Sequence, residues 1–175
     1  VSTGTGHKFP TSFPARRAWL HVTVSDQTGN VVFESGKPLA DGSIAGNDAD
    51  AAPDAFEPHY DIVTAAGQVQ IYEPIMGDTE GKVTYTLLKA ASYLKDNRLL
   101  PGGMDKTALP ANIAVAGEAL DDPSFTGGSD QVTYRVDVGT ATGPFTVEAE
   151  LLYQPLSYRF LQDLVTEEEA AAIAG

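Results

Sequence analysis

Apolar and polar residues alternate with period two over much of this chain. In Ala18-Trp19-Leu20-His21-Val22-Thr23-Val24, the residues Leu20, Val22 and Val24 share one face, as a half-buried strand requires. Asp26-Gln27-Thr28-Gly29-Asn30 is turn chemistry, and Val31 to Ser35 reads as the returning strand of a hairpin. Gln68 to Glu73 and Val83 to Leu87 are two further strands, with the turn residues Gly77 to Gly81 between them. Gln131 to Val138 and Phe145 to Leu151 alternate as well. In the latter, Thr146, Glu148 and Glu150 fall on the wet face, and Phe145, Val147, Ala149 and Leu151 on the core face. Helix signals are confined to the end. Thr166-Glu167-Glu168-Glu169 before Ala170 to Ala174 is a capping-box-like start, and Leu156 to Leu164 fits another turn or two. There is no βαβ alternation and no repeat at the period of roughly 20–50 residues that marks a solenoid. The pattern predicts an all-β chain, an antiparallel β-sandwich or jelly roll with long loops and a short C-terminal helix. A single sandwich domain is expected over residues 1–165, with a helical tail over 166–175.

Composition narrows the partners. Eleven Lys and Arg stand against 24 Asp and Glu, a net charge of −13. Affinity for nucleic acid comes mainly from cations that displace counterions, so a nucleic-acid partner is not expected. No apolar run approaches the ~20 residues of a membrane-spanning helix. The absence of cysteine removes disulfides, thiolate nucleophiles, Cys-ligated zinc and covalent haem attachment through Cys-x-x-Cys-His. The chain opens at Val1 without a visible signal peptide, as expected of a processed or trimmed product.

Two long irregular segments, Gly36 to Pro58 and Lys95 to Asn112, are where function is sought, since such loops in a compact domain are usually functional or disordered. Asn47-Asp48-Ala49-Asp50 presents oxygen ligands close together, and Asp54, Glu57 and Asp61 follow. Calcium takes six to eight such oxygens in flexible loops, at roughly 2.3–2.6 Å. A calcium site over Asn47 to Asp61 is therefore an expectation, with Asn47, Asp48, Asp50 and Asp61 as its residues, although the EF-hand order is absent. The alternative is a solvated acidic loop. Asp121 to Asp130 and Gly77 to Gly81 read as ordinary turns. His59 lies in Glu57-Pro58-His59-Tyr60-Asp61, where Asp61 is placed to set its tautomer. His21 belongs on the sheet surface, and His7 on an exposed turn. Arg16, Arg17 and Arg98 are scarce cations expected to pair internally, Arg98 at least half buried against a carboxylate or carbonyls, and Trp19 is expected in the core. There is no Gly-x-Ser-x-Gly elbow, Walker loop or dinucleotide fingerprint.

Several segments together resemble a known family. Thr5-Gly6-His7-Lys8-Phe9-Pro10-Thr11, Arg16-Arg17-Ala18-Trp19-Leu20-His21-Val22 and Asn30-Val31-Val32-Phe33-Glu34-Ser35-Gly36 are three of them. Glu57-Pro58-His59-Tyr60-Asp61, Gln68-Val69-Gln70-Ile71-Tyr72-Glu73, Tyr93-Leu94-Lys95-Asp96-Asn97-Arg98-Leu99-Leu100-Pro101, Phe125-Thr126-Gly127-Gly128 and Glu150-Leu151-Leu152-Tyr153-Gln154 extend the match over about residues 1–160. This set resembles the cysteine-poor C-terminal β-domain of bacterial multihaem c-type cytochromes of the cytochrome c554 type. The resemblance implies a non-enzymatic accessory or docking domain of an electron-transfer system, periplasmic or extracellular, whose partner is a haem-bearing cytochrome segment or subunit. It also implies that His7, with His59 as a second candidate, can meet a haem carried by a neighbour. The chain departs from the family in lacking Cys-x-x-Cys-His, in having Ser12 after Thr11 where Pro-Thr-Gly is usual, and in an entry strand expected to be cut at Val1. Two other readings stand beside this one: a self-associating surface or filament subunit that pairs through an open sheet edge, and a hydrolase or carbohydrate-active domain.

Overall fold

The computed structural model describes residues 1–11 and 14–174. Ser12 and Gly175, the end of the expected tail, lie outside the described residues, as do the side chains of Glu167, Glu168 and Glu169. In chain order the elements are β1 (Arg17–Ser25), β2 (Val31–Ser35), the single helical turn α1 (Asp48–Ala51), β3 (Ile62–Val63), β4 (Ile71–Tyr72), β5 (Pro74–Gly77), β6 (Val83–Thr84), β7 (Ser92–Asp96), β8 (Thr133–Tyr134), β9 (Thr146–Gln154) and α2 (Tyr158–Ala174). The chain is mainly β, about 29% strand against 12% helix, as the alternation predicts.

β1 organises the largest sheet. Antiparallel β2 and β4 pair with successive halves of one of its edges, and β9 pairs along the whole of the other, from Arg17↔Gln154 to Ser25↔Thr146. β5, between β6 and β7, forms a second antiparallel sheet. β3 and β8 make a two-residue parallel pairing, the one departure from antiparallel geometry among the described strands. The first four residues of β1 are buried on both faces. Leu20 and Val22 enter a cluster with Tyr72, Leu99, Leu100 and Phe125, whereas Trp19 packs on the other side with Ile44, Val69 and Ile71. Trp19 donates its Nε1–H to the Gly36 carbonyl at 2.8 Å. Gly36 has φ +75°, and a Cβ there would sit 2.3 Å from the Leu20 carbonyl oxygen, so only glycine lets the chain cross over Trp19.

Several sequence expectations need correction. Val83 to Leu87 yields only the two residues of β6, followed by a 3₁₀ turn at Leu87–Lys89. Gln131 to Val138 pairs only at Thr133 and Tyr134, because its apolar side chains pack while most of its backbone finds no neighbouring strand. The supposed core face of β9 is open, with Phe145 at 38%, Val147 at 64% and Leu151 at 44% exposure. The segment 132–138 covers that face only in part, leaving an apolar groove lined by Val136, Val138, Val147 and Ala149. The terminal helix starts at Tyr158 rather than Thr166. Buried Ser157 caps it by accepting from the Phe160 N–H at 3.4 Å, and Thr166 lies inside it, donating to the Gln162 carbonyl.

Arg17 ties the ends of β1 and β9 to the acidic loop. Its Nη1 and Nη2 donate to the two oxygens of Asp50 at 2.8 and 2.9 Å, its Nε to Gln154 at 2.7 Å, and Nη2 also to the Gly42 carbonyl at 3.2 Å. Both partners of the pair are buried, with side chains 1% and 4% exposed. Removing one member of such a pair strands the other charge in a dry site. Asp50→Ala is therefore expected to lower stability by about 3–5 kcal/mol, read from urea unfolding. The double change Arg17→Met with Asp50→Leu should recover most of that loss.

Candidate functional site

The acidic loop resolves into a local cap. Asn47 is the N-cap of α1 and its Oδ1 accepts from the Ala49 N–H, so only its buried, unpartnered Nδ2 faces the surroundings, and that is a donor. Asp50 is neutralised by Arg17 and also accepts from the Ile44 N–H at 2.8 Å. Asp48 and Asp61 are exposed, and no grouping of Asp48, Asp50 and Asp61 converges among the described residues. The cation that Asp50 takes is the guanidinium of Arg17. Glu57 is buried; burial raises its carboxyl above the usual range, and it accepts from the Asp48 and Val69 amides.

The polar centre of the molecule is His59, enclosed by side chains from three other segments of the chain. Its Nε2 lies 3.0 Å from Asp122 Oδ2 and 4.0 Å from Asp130 Oδ1. Its Nδ1 lies 2.9 Å from Gln70 Nε2 and 3.1 Å from Asn97 Nδ2. Phe125 packs edge-on to the ring at 5.2 Å. The partner is thus Asp122, not the neighbouring Asp61, which is the correction to the sequence expectation. Asp122, Asp130 and His59 are the one group of His and acidic residues among the described ones whose ligand atoms all lie within 4.8 Å of one another.

Hydrogen-bond direction fixes the protonation of the ring. Gln70 Oε1 accepts from the Tyr60 N–H at 2.7 Å, and Asn97 Oδ1 from the Glu73 N–H at 3.0 Å, while Asn97 Nδ2 also donates to the Ile71 carbonyl. Neither amide can turn without losing those backbone bonds, so both present N–H groups to Nδ1. Nδ1 is therefore an acceptor, and the proton resides on Nε2 and is donated to Asp122. A metal on Nε2 would force that proton onto Nδ1, against two donors. Metal-bound histidines instead donate their second nitrogen to an acceptor. By distance the group could hold a metal; by proton placement it is a structural clasp. With both nitrogens engaged, the ring also has no free position for general-base work.

The two carboxylates are held as tightly. Asp122 accepts from the Ser124 amide at 2.7 Å and from the Ser124 hydroxyl at 3.1 Å. Asp130 accepts from Tyr72 Oη at 2.7 Å, and burial with that carboxylate raises the Tyr72 hydroxyl far above its usual range. The Lys106 ammonium caps the Asp122 and Ala119 carbonyls. Asp122 and Asp130 bound a segment that the sequence marks only as a turn. Its readable signal is a pair of aspartates flanking Phe125 and the Gly127-Gly128 turn. A second hub is Asp96, fully buried, which receives Lys8 Nζ at 2.7 Å and Arg98 Nε and Nη2 at 2.8 and 2.7 Å. The expected pairing of Arg98 is met, with its side chain 11% exposed.

The remaining histidines are peripheral. His21 sits on the sheet face between Glu34 and Glu150, at 3.1 and 3.2 Å. His7 is exposed, and its Nδ1 lies 2.9 Å from the Lys8 carbonyl. A carbonyl only accepts, so Nδ1 carries a proton, and Nε2 has no hydrogen-bond partner among the described residues. The mount beneath it is firm: Thr5 Oγ1 donates to the His7 carbonyl at 2.7 Å, Lys8 is paired with Asp96, and Phe9 and Leu99 exchange backbone bonds. No family model matches the chain, and neither a curated protein nor a solved structure matches it.

Two measurements test the clasp. His59→Phe keeps a ring of similar size but leaves Asp122, Gln70 and Asn97 without their partner, and is expected to cost roughly 3–5 kcal/mol in urea unfolding. Burial alone would raise the Asp122 carboxyl, but the bonds from His59 and Ser124 outweigh it and hold it below the usual range. A folded value below the unfolded one means that this stabilisation is complete above the unfolded aspartate value of about 3.9. It is lost as pH falls through the folded value. Asp122→Asn should therefore lower the urea midpoint at neutral pH and flatten its decline below about pH 4.

Proposed function

We propose that this chain is a non-enzymatic docking module of a multihaem c-type cytochrome system, periplasmic or extracellular, with the two-layer sandwich as its architecture. The observation that carries the reading is the tautomer of His7. An axial ligand to haem iron must offer a neutral imidazole nitrogen, with its other nitrogen protonated and anchored. His7 has its Nδ1–H anchored on the Lys8 carbonyl and its ring exposed, on a segment pinned by the Lys8–Asp96 pair. The partner's haem would supply electron transfer; this chain supplies position, through an exposed ring on a fixed turn. His59, the second haem candidate, has neither exposure nor a free nitrogen and does not share this role.

Two further features support a contact role over a catalytic one. The buried ionisable groups Arg17, Lys95, Asp96 and Asp122 are each committed to an internal partner. An apolar sheet face and a long strand edge, by contrast, stay open.

The test is spectroscopic. The chain is titrated into a multihaem c-type cytochrome that has one haem with an open axial position, and the visible and electron paramagnetic resonance spectra are recorded. The expected result is conversion of that haem to a low-spin, histidine-ligated form. His7→Ala should abolish the change, and His21→Gln should leave it intact. An unaltered spectrum with the unsubstituted chain would overturn the reading.

A further inference from the structure

The outer edge of β9 is a second contact surface, and its chemistry is specific. β9 is nine residues long, pairs only with β1 among the described strands, and is exposed along most of its length. Which of its backbone groups point outward follows from β1. The Leu20 N–H donates to the Gln70 carbonyl and that of Asp26 to Asn30, so even-numbered β1 residues direct their amides away from β9. In an antiparallel pair, residues opposite such positions turn their own N–H and C=O groups outward. Those residues are Val147, Ala149, Leu151 and Tyr153, opposite Val24, Val22, Leu20 and Ala18. Their outward groups form an open ladder about 20 Å long at the usual rise per residue.

The two faces beside this ladder differ. On one, Val147 and Ala149 join Val22 and Val24 of β1, with Val136 and Val138 opposite, in an apolar groove of about 540 Å³. On the other, Glu148 and Glu150 stand in the row of His21 and Thr23. The Glu150 side chain is 63% exposed and lies beside His21, and among the described residues neither it nor Glu148 pairs with a Lys or Arg. An added strand would place alternate side chains over the groove and beside these glutamates.

We propose that the β9 edge receives an extended segment of a partner protein in which basic and aliphatic residues alternate. The aliphatic side chains lie over the apolar groove, the basic ones beside Glu148 and Glu150, and the backbone completes the ladder. A second copy of this chain is the poorer occupant. Antiparallel pairing of two β9 edges would bring their glutamates together, each chain carrying a net charge of −13. That same charge draws a cationic segment toward the edge before contact. The proposal extends the contact-module reading but does not depend on haem.

The probe is a labelled, end-blocked nine-residue peptide alternating Lys and Val, followed by fluorescence anisotropy at about 0.15 M salt, where general attraction is screened over ~8 Å. A peptide alternating Lys and Ser carries the same charge and serves as control. Saturable binding of the Lys–Val peptide alone is expected, with slowed amide exchange at Val147, Ala149 and Leu151. Glu148→Lys with Glu150→Lys should weaken it about tenfold or more. Ala149→Pro loses only an outward N–H, so the pairing with β1 survives while the open ladder is blocked. It should abolish binding with the melting temperature little changed. Equal binding of the two peptides, or protection elsewhere than β9, would overturn the proposal. So would light scattering that shows a dimer with β9 protected, which would make a second copy the occupant. Because the assay holds no haem, its failure leaves the His7 reading standing, and a failed haem titration leaves this one standing.

Discussion

The fold turns on one imidazole held at both nitrogens. His59 accepts from two amides and donates to a carboxylate, and each of these side chains is itself fixed by backbone or hydroxyl groups. The segments so joined carry little regular structure: the loop before β3, the approach to β4, the exit of β7, and the turn from Asp122 to Asp130. Short strands provide few ladder bonds, so these loops are ordered by side chains instead. In a dry interior every unmade bond costs a desolvation penalty. The network is therefore cooperative, and its partners are specified along with it.

The same device recurs at Asp96 and at Asp50. Asp96 gathers Lys8 and Arg98, and so fastens the N-terminal segment to the end of β7. Asp50 takes Arg17 and so fastens the acidic loop to the large sheet. An acidic protein with few cations places several of them where a carboxylate is buried, which leaves most of its negative charge at the surface. Buried pairs of this kind are weak sources of net stability but strong penalties against wrong arrangements. They give the loops a unique seat beneath an otherwise modest hydrophobic core.

Against this closed interior, β9 is open in both senses, with an edge unpaired among the described strands and an apolar face only partly covered. Natural sheets usually protect such an edge. Here Glu148 and Glu150 discourage pairing with like-charged copies while leaving the ladder available to a cationic strand. The Phe9 ring lies 6.0 Å from Tyr153, so the end of this edge adjoins the segment that presents His7. The open edge and the internal clasps thus draw on different residues.

Local chemistry was readable in the sequence. The alternation of β1 and β9, the β1–β2 hairpin, the turn at Asp78, the burial of Trp19 and the pairing of Arg17 and Arg98 all follow from side-chain period, turn residues and the scarcity of cations, and each depends on near neighbours or on charge balance. Tertiary structure alone decided which carboxylate meets which partner. Asp122 lies 63 positions from His59 and is paired with it, whereas Asp61, two positions away, is not. Strand periodicity likewise tells which side chains share a face but not whether anything covers that face, so the apolar side of β9 read as core and proved open. The carboxylates of Asn47 to Asp61 are close along the chain, but that Asp50 meets Arg17, 33 positions before it, is not visible in the sequence. Pairing across such separations depends on how loops close, which residue type and spacing do not encode.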